Sequence, residues 1–223
     1  MPFGNGNVLE HVIRRAKYFA IEPIVCTSIA QSDDVIEEIA KREGVRIFRG
    51  SLVNKLRRWA DCAEHFGLGC FHTVDADDPF FDGNEMHRSM SLLATGAWDM
   101  ICPSSSSSAG GASVGYSMTT SVVRKAINGL DNEADTEMMW YYVEKVPGLR
   151  STALPEPDHV EPSMRLTLDY PEDYWLLESV RRIVGNLAER TDVNALFLDN
   201  PDFYKINWFR NQEWKQGQLS KKI

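Results

Sequence analysis

The chain has 223 residues, of which 43% are hydrophobic and 25% charged, and a formal net charge of −8. That composition supplies a full core for one soluble globular domain. The acidic balance excludes an exposed nucleic-acid surface, which needs clustered Lys and Arg, but leaves open a small anionic ligand held by local cations or a metal.

From Val8 the pattern VLEHVIRRAKYF places Leu9, Val12, Ile13 and Ala16 on one helical stripe. Residues 21–28, IEPIVCTS, read as a strand rich in β-branched side chains. Ser32 and Asp33 suit the N-cap of a helix that turns Val35, Ile36, Ile39 and Ala40 inward and stops at Gly44. VRIFRG is a second strand, LVNKLRRWADCAEHFG an amphipathic helix ended by Gly67, GCFHTVDAD a third strand and DMICPS a fourth. Strand and helix alternate, which predicts an α/β fold with a mainly parallel sheet and helices on both faces.

After Cys102 the chain changes character. PSSSSSAGGAS (103–113) is low-complexity and is expected to stay out of the core, as a solvated loop or as a lid over a substrate. SVGYSMTTS reads as a strand, with Thr120 or Ser121 capping the helix VVRKAINGL; DTEMMWYYVEKVPG reads as helix and RSTALPE as strand. In MRLTLDYPEDYWLLESVRRIVG a strand runs into a helix. Pro171 suits its first position, Glu172 and Asp173 favour the positive end of its dipole, and Leu176, Leu177, Val180, Ile183 and Val184 form its buried stripe. There is no internal repeat. Cys26, Cys62, Cys70 and Cys102 are scattered, three of them inside apolar runs, and read as buried free thiols in a reducing compartment. No signal peptide opens the chain and no apolar run is long enough to span a bilayer, so a cytoplasmic protein without membrane contact is expected.

Two of the strands end in acid, TVDADDP and LTLDYPED. Ligands of open α/β sheets bind beyond the carboxyl ends of the strands. Set side by side, Asp77 and Asp169 would converge on one hard cation, and Mg²⁺ takes one or two carboxylates with water and phosphate oxygens. The same residues also serve as turn and cap chemistry, Asp78-Pro79 in one motif and Asp169 to Asp173 in the other, and Asp75 reads equally as a solvated acid or a ligand. His72 reads as a packed, hydrogen-bonded residue, His11, His65 and His87 as helix polar faces, and His159 as part of a Pro-rich loop. None pairs with a nucleophile, which points to metal-assisted chemistry instead of a Ser-His-Asp or Cys-His mechanism.

Taken in order, LEHVIRRAK, SDDVIEEIAKREGVRIFRGS, DADDPFFD and RLTLDYPEDYWLL resemble the cytidylyltransferases that activate acidic sugars. The match is to the group named for spore-coat polysaccharide biosynthesis protein F, with the KDO and acylneuraminate cytidylyltransferases as more distant relatives. The tail FLDNPDFYKINWFRNQ is similar to that group's closing segment. The resemblance implies a Rossmann-like, GT-A-type nucleotide-diphosphosugar-transferase fold over residues 1–190, with 191–223 as a tail packing on the domain or on a partner subunit. It implies a homodimer that uses CTP and a small acidic sugar in polysaccharide or glycoconjugate synthesis. Asp77 matches the aspartate of the family's G-D-x-P motif and Asp169 that of its V-D-x-P-E-D motif, and both would hold Mg²⁺ against the phosphates. Arg58 falls where a nucleotide-side arginine lies, while Arg165 and Glu137 match positions that face the sugar.

The sequence also departs from the family. Ala76 stands where glycine is usual, and GGASVGYSMTT lacks the family's acidic pattern. MPFGNGNVLEHVI resembles the segment that follows the family's first strand and phosphate-cradling loop, so Met1 reads as an internal methionine and the chain as given as lacking that loop. Two alternatives follow. One is a GT-A-type glycosyltransferase using Asp75-Ala76-Asp77 as a D-x-D motif; the other is a non-catalytic pseudoenzyme.

Overall fold

A computed structural model describes residues 1–108, 115–157 and 162–220; His159 and positions 109–113 of the serine-rich stretch lie outside the described residues. A two-strand hairpin, β1 (Pro2–Phe3) and β2 (Gly6–Asn7), leads directly into α1 (Val8–Tyr18). Asn7 sets the start of the helix. Its Oδ1 accepts the Glu10 N–H at 3.0 Å, and Glu10 Oε2 accepts the Asn7 N–H at 2.8 Å, satisfying two otherwise orphaned donors.

The elements β3 (Ile24–Ser28), α2 (Asp34–Arg42), β4 (Arg46–Gly50), α3 (Lys55–His65) and β5 (Cys70–His72) then fall where the apolar periodicity puts them. β3 and β4 pair in parallel, from Ile24 opposite Arg46 to Ser28 opposite Gly50. The rest of the chain forms α4 (Gly83–Ala94), β6 (Met100–Cys102), α5 (Ser105–Ser108), β7 (Ser117–Thr119), α6 (Thr120–Ala126), α7 (Met139–Val143) and β8 (Ser151–Ala153), followed by α8 (Pro171–Val184), α9 (Arg190–Asp199) and α10 (Arg210–Ser220). A four-stranded sheet runs in the order β5-β7-β6-β8. β6 and β8 are parallel, whereas β7 is antiparallel to both β5 and β6.

Successive strand residues point to opposite faces, and β6 shows what covers each face. Met100 packs with Met118, Leu56 and Ala60 of α3, Val122 and Val123 of α6 and Met139 and Val143 of α7. Its neighbour Ile101 packs with Leu93 of α4 and with Leu154. Helices therefore lie on both faces of an α/β, Rossmann-like sheet. A further cluster joins Phe3, Phe80, Met164 and Leu166 to Leu176, Leu177 and Val180 of α8 and to Val193 and Phe197 of α9.

Several expectations need correction. Val35 and Ile183 are exposed, and the inner side of α1 is filled by Glu10, His11 and Arg15 as well as by apolar residues. His11 is buried, its Nε2 2.9 Å from Pro79 O and its ring 4.7 Å from that of Phe3. Arg15 is buried because its Nε and Nη1 donate to Phe81 O and Ala188 O, each at 2.8 Å. Asp33 does not cap α2 with its side chain; its carboxylate accepts the hydroxyls of Thr27 and Ser28 instead. The cap of α6 is Thr119, one residue before the expected pair. Ser104 and Ser107 are buried within the serine-rich stretch, because their hydroxyls face the Glu85 carboxylate. Of the cysteines, Cys62 is buried, Cys26 and Cys102 are half-buried and Cys70 is exposed.

Candidate active site

The approach to the expected acid pair begins at β5, whose end is held by reciprocal contacts with the start of β7. Thr73 N–H donates to Tyr116 O at 2.9 Å, and Tyr116 N–H to Thr73 Oγ1 at 3.0 Å. The chain then folds into two tight turns, with Asp78 N–H donating to Asp75 O and Phe81 N–H to Asp78 O. These turns place Asp75, Asp77 and Asp78 at the carboxyl end of β5, the side of the sheet on which ligands of this architecture bind.

Asp169 arrives from the other direction. The stretch 165–169 forms no strand, although alternation predicts one, because its backbone partners are single groups and not a ladder. Leu168 N–H donates to Asp77 O at 2.9 Å, and Asn207 Nδ2 donates to Arg165 O at 2.8 Å. The first of these contacts brings the two acid motifs together.

Arg165 and Asp173 fix Asp169 in place. The guanidinium donates from Nε to Asp173 Oδ1 at 2.9 Å and from Nη2 to Asp173 Oδ2 at 3.1 Å and Asp169 Oδ2 at 2.5 Å. Asp173 Oδ2 also accepts the backbone N–H groups of Asp169 and Tyr170, at 2.9 and 3.0 Å. Arg165 is buried and its Nη1 is directed at Asn211 Oδ1. It is thus a positioning residue beneath Asp169, not a group facing open space.

The electrostatics of Asp77 differ. Burial, and then the charges of Asp75 and Asp169, push its carboxyl up to about 6. Asp78, which is buried, is raised by the same desolvation and by Asp77 and Asp75. Crowded carboxylates of this kind are relieved by a divalent cation, so Asp77 and Asp169 fit one. Among the described residues no group of three or more His, Cys, Asp or Glu side chains forms a ligand set. Two carboxylates, with the remaining positions left to water and phosphate, would suit Mg²⁺.

The other expected site residues divide. Glu137 is brought to the acids, its Oε1 3.4 Å from Lys55 Nζ, which also lies 3.2 Å from Asp75 Oδ1. Arg58 points elsewhere. Its Nη1 donates to Ser51 O at 2.8 Å and Leu52 O at 3.2 Å, tying down the turn after β4. Lys55 is the residue that pattern reading overlooks. Burial works against its charge, but Asp75 and Glu137 outweigh that and hold it above the ordinary lysine value. The signal was present: a cation in the first turn of a helix opposes the helix dipole, and a broken local preference marks function.

Beyond the ends of β6 and β8 lies a cavity of about 620 Å³, whose lining includes Glu85, Arg88, Ser104, Ser107, Arg190 and Trp208. Its volume is that of a small-molecule site. No helix among the described residues is long and apolar enough to cross a membrane.

No family model matches the sequence. The chain is 26% identical over 223 residues to the spore coat polysaccharide biosynthesis protein SpsF of Bacillus subtilis (strain 168), across 90% of this chain and 87% of that protein. Its structure is similar to that of a cytidylyltransferase from Leptospira borgpetersenii serovar Hardjo-bovis (strain JB197), with a TM-score of 0.80 and 23% identity over 92% of this chain and 88% of the other. It is also similar to 4-diphosphocytidyl-2C-methyl-D-erythritol synthase from Anaerococcus prevotii DSM 20548, with a TM-score of 0.57 and 11% identity over 82% of this chain and 92% of the other. The cytidylyltransferase resemblance read from the motifs therefore holds along almost the whole chain, and the fold is the Rossmann-like fold of those enzymes.

Proposed function

We propose that this cytidylyltransferase-like chain is a nucleotidyltransferase that joins CTP to a sugar, giving a CMP-sugar and pyrophosphate. The observation that carries the reading is the meeting of the two acid motifs at the carboxyl end of β5, through the Leu168–Asp77 backbone contact. A sugar hydroxyl displaces pyrophosphate at the α-phosphorus, a reaction that depends on positioning and on neutralising developing charge. Asp77 and Asp169 would hold Mg²⁺, which supplies that neutralisation when bound. Arg165 keeps Asp169 in place, and the burial of Asp77 strengthens its hold on a cation.

The narrower form of the proposal makes the acceptor an acidic sugar. The cavity beyond β6 and β8 supports a sugar, since Ser104, Ser107 and Glu85 suit its hydroxyls; Arg88 and Arg190 are the cations there for a carboxylate, set among the acids Asp82, Glu85, Glu156 and Glu189. A cytoplasmic homodimer is also part of the proposal. Trp175 and Ile183, exposed and eight residues apart on α8, supply apolar surface for a second copy.

The experiment is pyrophosphate release from CTP, UTP and ATP with Mg²⁺, each with a panel of acidic and neutral sugars. Release that requires CTP and an acidic sugar, and that is lost in Asp77→Asn, is the expected result. Consumption of a nucleotide sugar without pyrophosphate would instead make the chain a glycosyltransferase, and no turnover or nucleotide binding would reject the enzyme reading.

A further inference from the structure

We propose that Lys55 is an anion-exchanging residue: its ammonium stays in place and exchanges the carboxylates of Asp75 and Glu137 for a phosphate of the incoming substrate. The identity of that substrate rests on the nucleotidyl-transfer reading; the exchange itself does not.

Lys55 opens α3, where the positive end of the helix dipole repels a cation. It is nonetheless held firmly. Asn54 and Thr136, both fully buried, lock the start of α3 to the 131–137 segment. Thr136 Oγ1 accepts the Leu56 N–H at 2.9 Å and donates to Asn54 Oδ1 at 3.1 Å, while Asn54 Nδ2 donates to Asp131 O at 3.2 Å. The Lys55 ammonium lies over the Trp59 ring, with Nζ 5.3 Å from its centroid.

The partners of Lys55 are held differently. Its side chain is 13% exposed, whereas those of Asp75 and Glu137 are 58% and 56% exposed. The two contacts, 3.2 and 3.4 Å, are long for charge-assisted bonds, which run nearer 2.7–2.9 Å. An anion arriving from solvent can therefore displace both carboxylates into water while Lys55 stays where it is. Asp75 precedes Asp77 by two residues, so Lys55 borders the acid pair and can meet the far end of a phosphate chain anchored there. On this account Asp75 and Glu137 are competitors of the substrate, not ligands of metal or sugar.

That role has an unusual consequence: removing a competing carboxylate should tighten anion binding. The test is calorimetric titration of the full chain with inorganic tripolyphosphate, without metal and at low ionic strength, with CTP titrated separately. Lys55→Gln is expected to weaken binding by about tenfold or more, the scale of a hydrogen bond to a charged group. Glu137→Gln and Asp75→Asn are each expected to tighten it by about two- to fivefold, the scale of an exposed ion pair. The gain should vanish in Lys55→Gln/Glu137→Gln, which separates exchange at Lys55 from a general change in charge. Glu137 is more than half exposed, so its variant folds as the parent does and tests the proposal even if Lys55→Gln does not. No tripolyphosphate binding by the parent, unchanged binding in Lys55→Gln, or weaker binding in Glu137→Gln would each overturn the proposal. Exchange without CTP binding would uphold Lys55 and reject the nucleotide reading; CTP binding without the pattern would do the reverse.

Discussion

Replacing Arg165 by methionine separates a residue that builds the site from one that touches substrate. Its side chain is 1% exposed and that of Asp173 0%. Asp173 accepts five hydrogen bonds: two from Arg165, two from the Asp169 and Tyr170 N–H groups and one from Asn207 Nδ2. Methionine fills similar space but removes the cation and leaves the Asp173 carboxylate buried. Breaking a buried pair from one side costs about 3–5 kcal/mol. For a chain of this size each kcal/mol lowers the melting temperature by about 2–4 °C, so Arg165→Met should melt about 6–20 °C below the parent. Urea unfolding should give the same ranking. Arg165→Met/Asp173→Asn should regain part of the loss, because the orphaned charge is gone while the amide oxygen still accepts an N–H. A coupling of at least about 1 kcal/mol is expected for groups in one network. If Arg165→Met melts within about 2 °C of the parent and still loses turnover, the reasoning fails and Arg165 belongs to the substrate.

Asp77→Asn should abolish turnover yet stabilise the fold at pH 8 by about 1–3 kcal/mol, because a carboxyl pushed up to about 6 is ionised there at a cost; the gain should fade as pH falls from 6 towards 4, and a loss of stability at pH 8 would refute it. His11, lowered to about 4 by burial, is neutral in the fold, so its stabilisation is present above the ordinary value of 6.5 and lost on acidification. The difference in unfolding free energy between parent and His11→Gln should therefore shrink by about 3 kcal/mol from pH 7 to pH 4, and a flat difference would reject the assignment. Gly115 has φ of +77°, and a Cβ there would lie 1.8 Å from Thr73 O; Gly115→Ala should cost more than about 2 kcal/mol and loosen the β5–β7 junction, seen as faster amide exchange at Thr73.

Elements whose stability comes from an apolar stripe were legible in the sequence. α1, α3 and α8 start and stop close to where their caps, glycines and Pro171 place them. The errors fall where polar groups are buried in pairs. Hydrophobic periodicity put His11 on a wet face, yet a single carbonyl, that of Pro79, lets it sit against Phe3. It also turned the 165–169 segment into a strand, whereas the pull of Arg165 on Asp173 takes that backbone out of any ladder. The acids Asp77 and Asp169 were legible because strand-end carboxylates stand out against apolar neighbours. The Asn54–Thr136 lock that presents Lys55 was not, since its two halves lie 82 positions apart and no local pattern joins them.

The site thus contains acids in three different states, and the difference assigns their work. Asp169 is tied to a buried cation, so it can keep a fixed direction but gives up part of its charge to Arg165. Asp75 leans on an ammonium that it shares with Glu137, and its exposure lets it let go. Asp77 is ruled by desolvation and by like charge, which makes its ionised form the most costly of the three to keep without a cation. A ligand carrying both a divalent cation and a chain of negative oxygens would relieve Asp77 through the first and claim Lys55 through the second. The arrangement therefore favours the two together over either alone, and binding of CTP should show stronger dependence on Mg²⁺ in the parent than in Asp77→Asn.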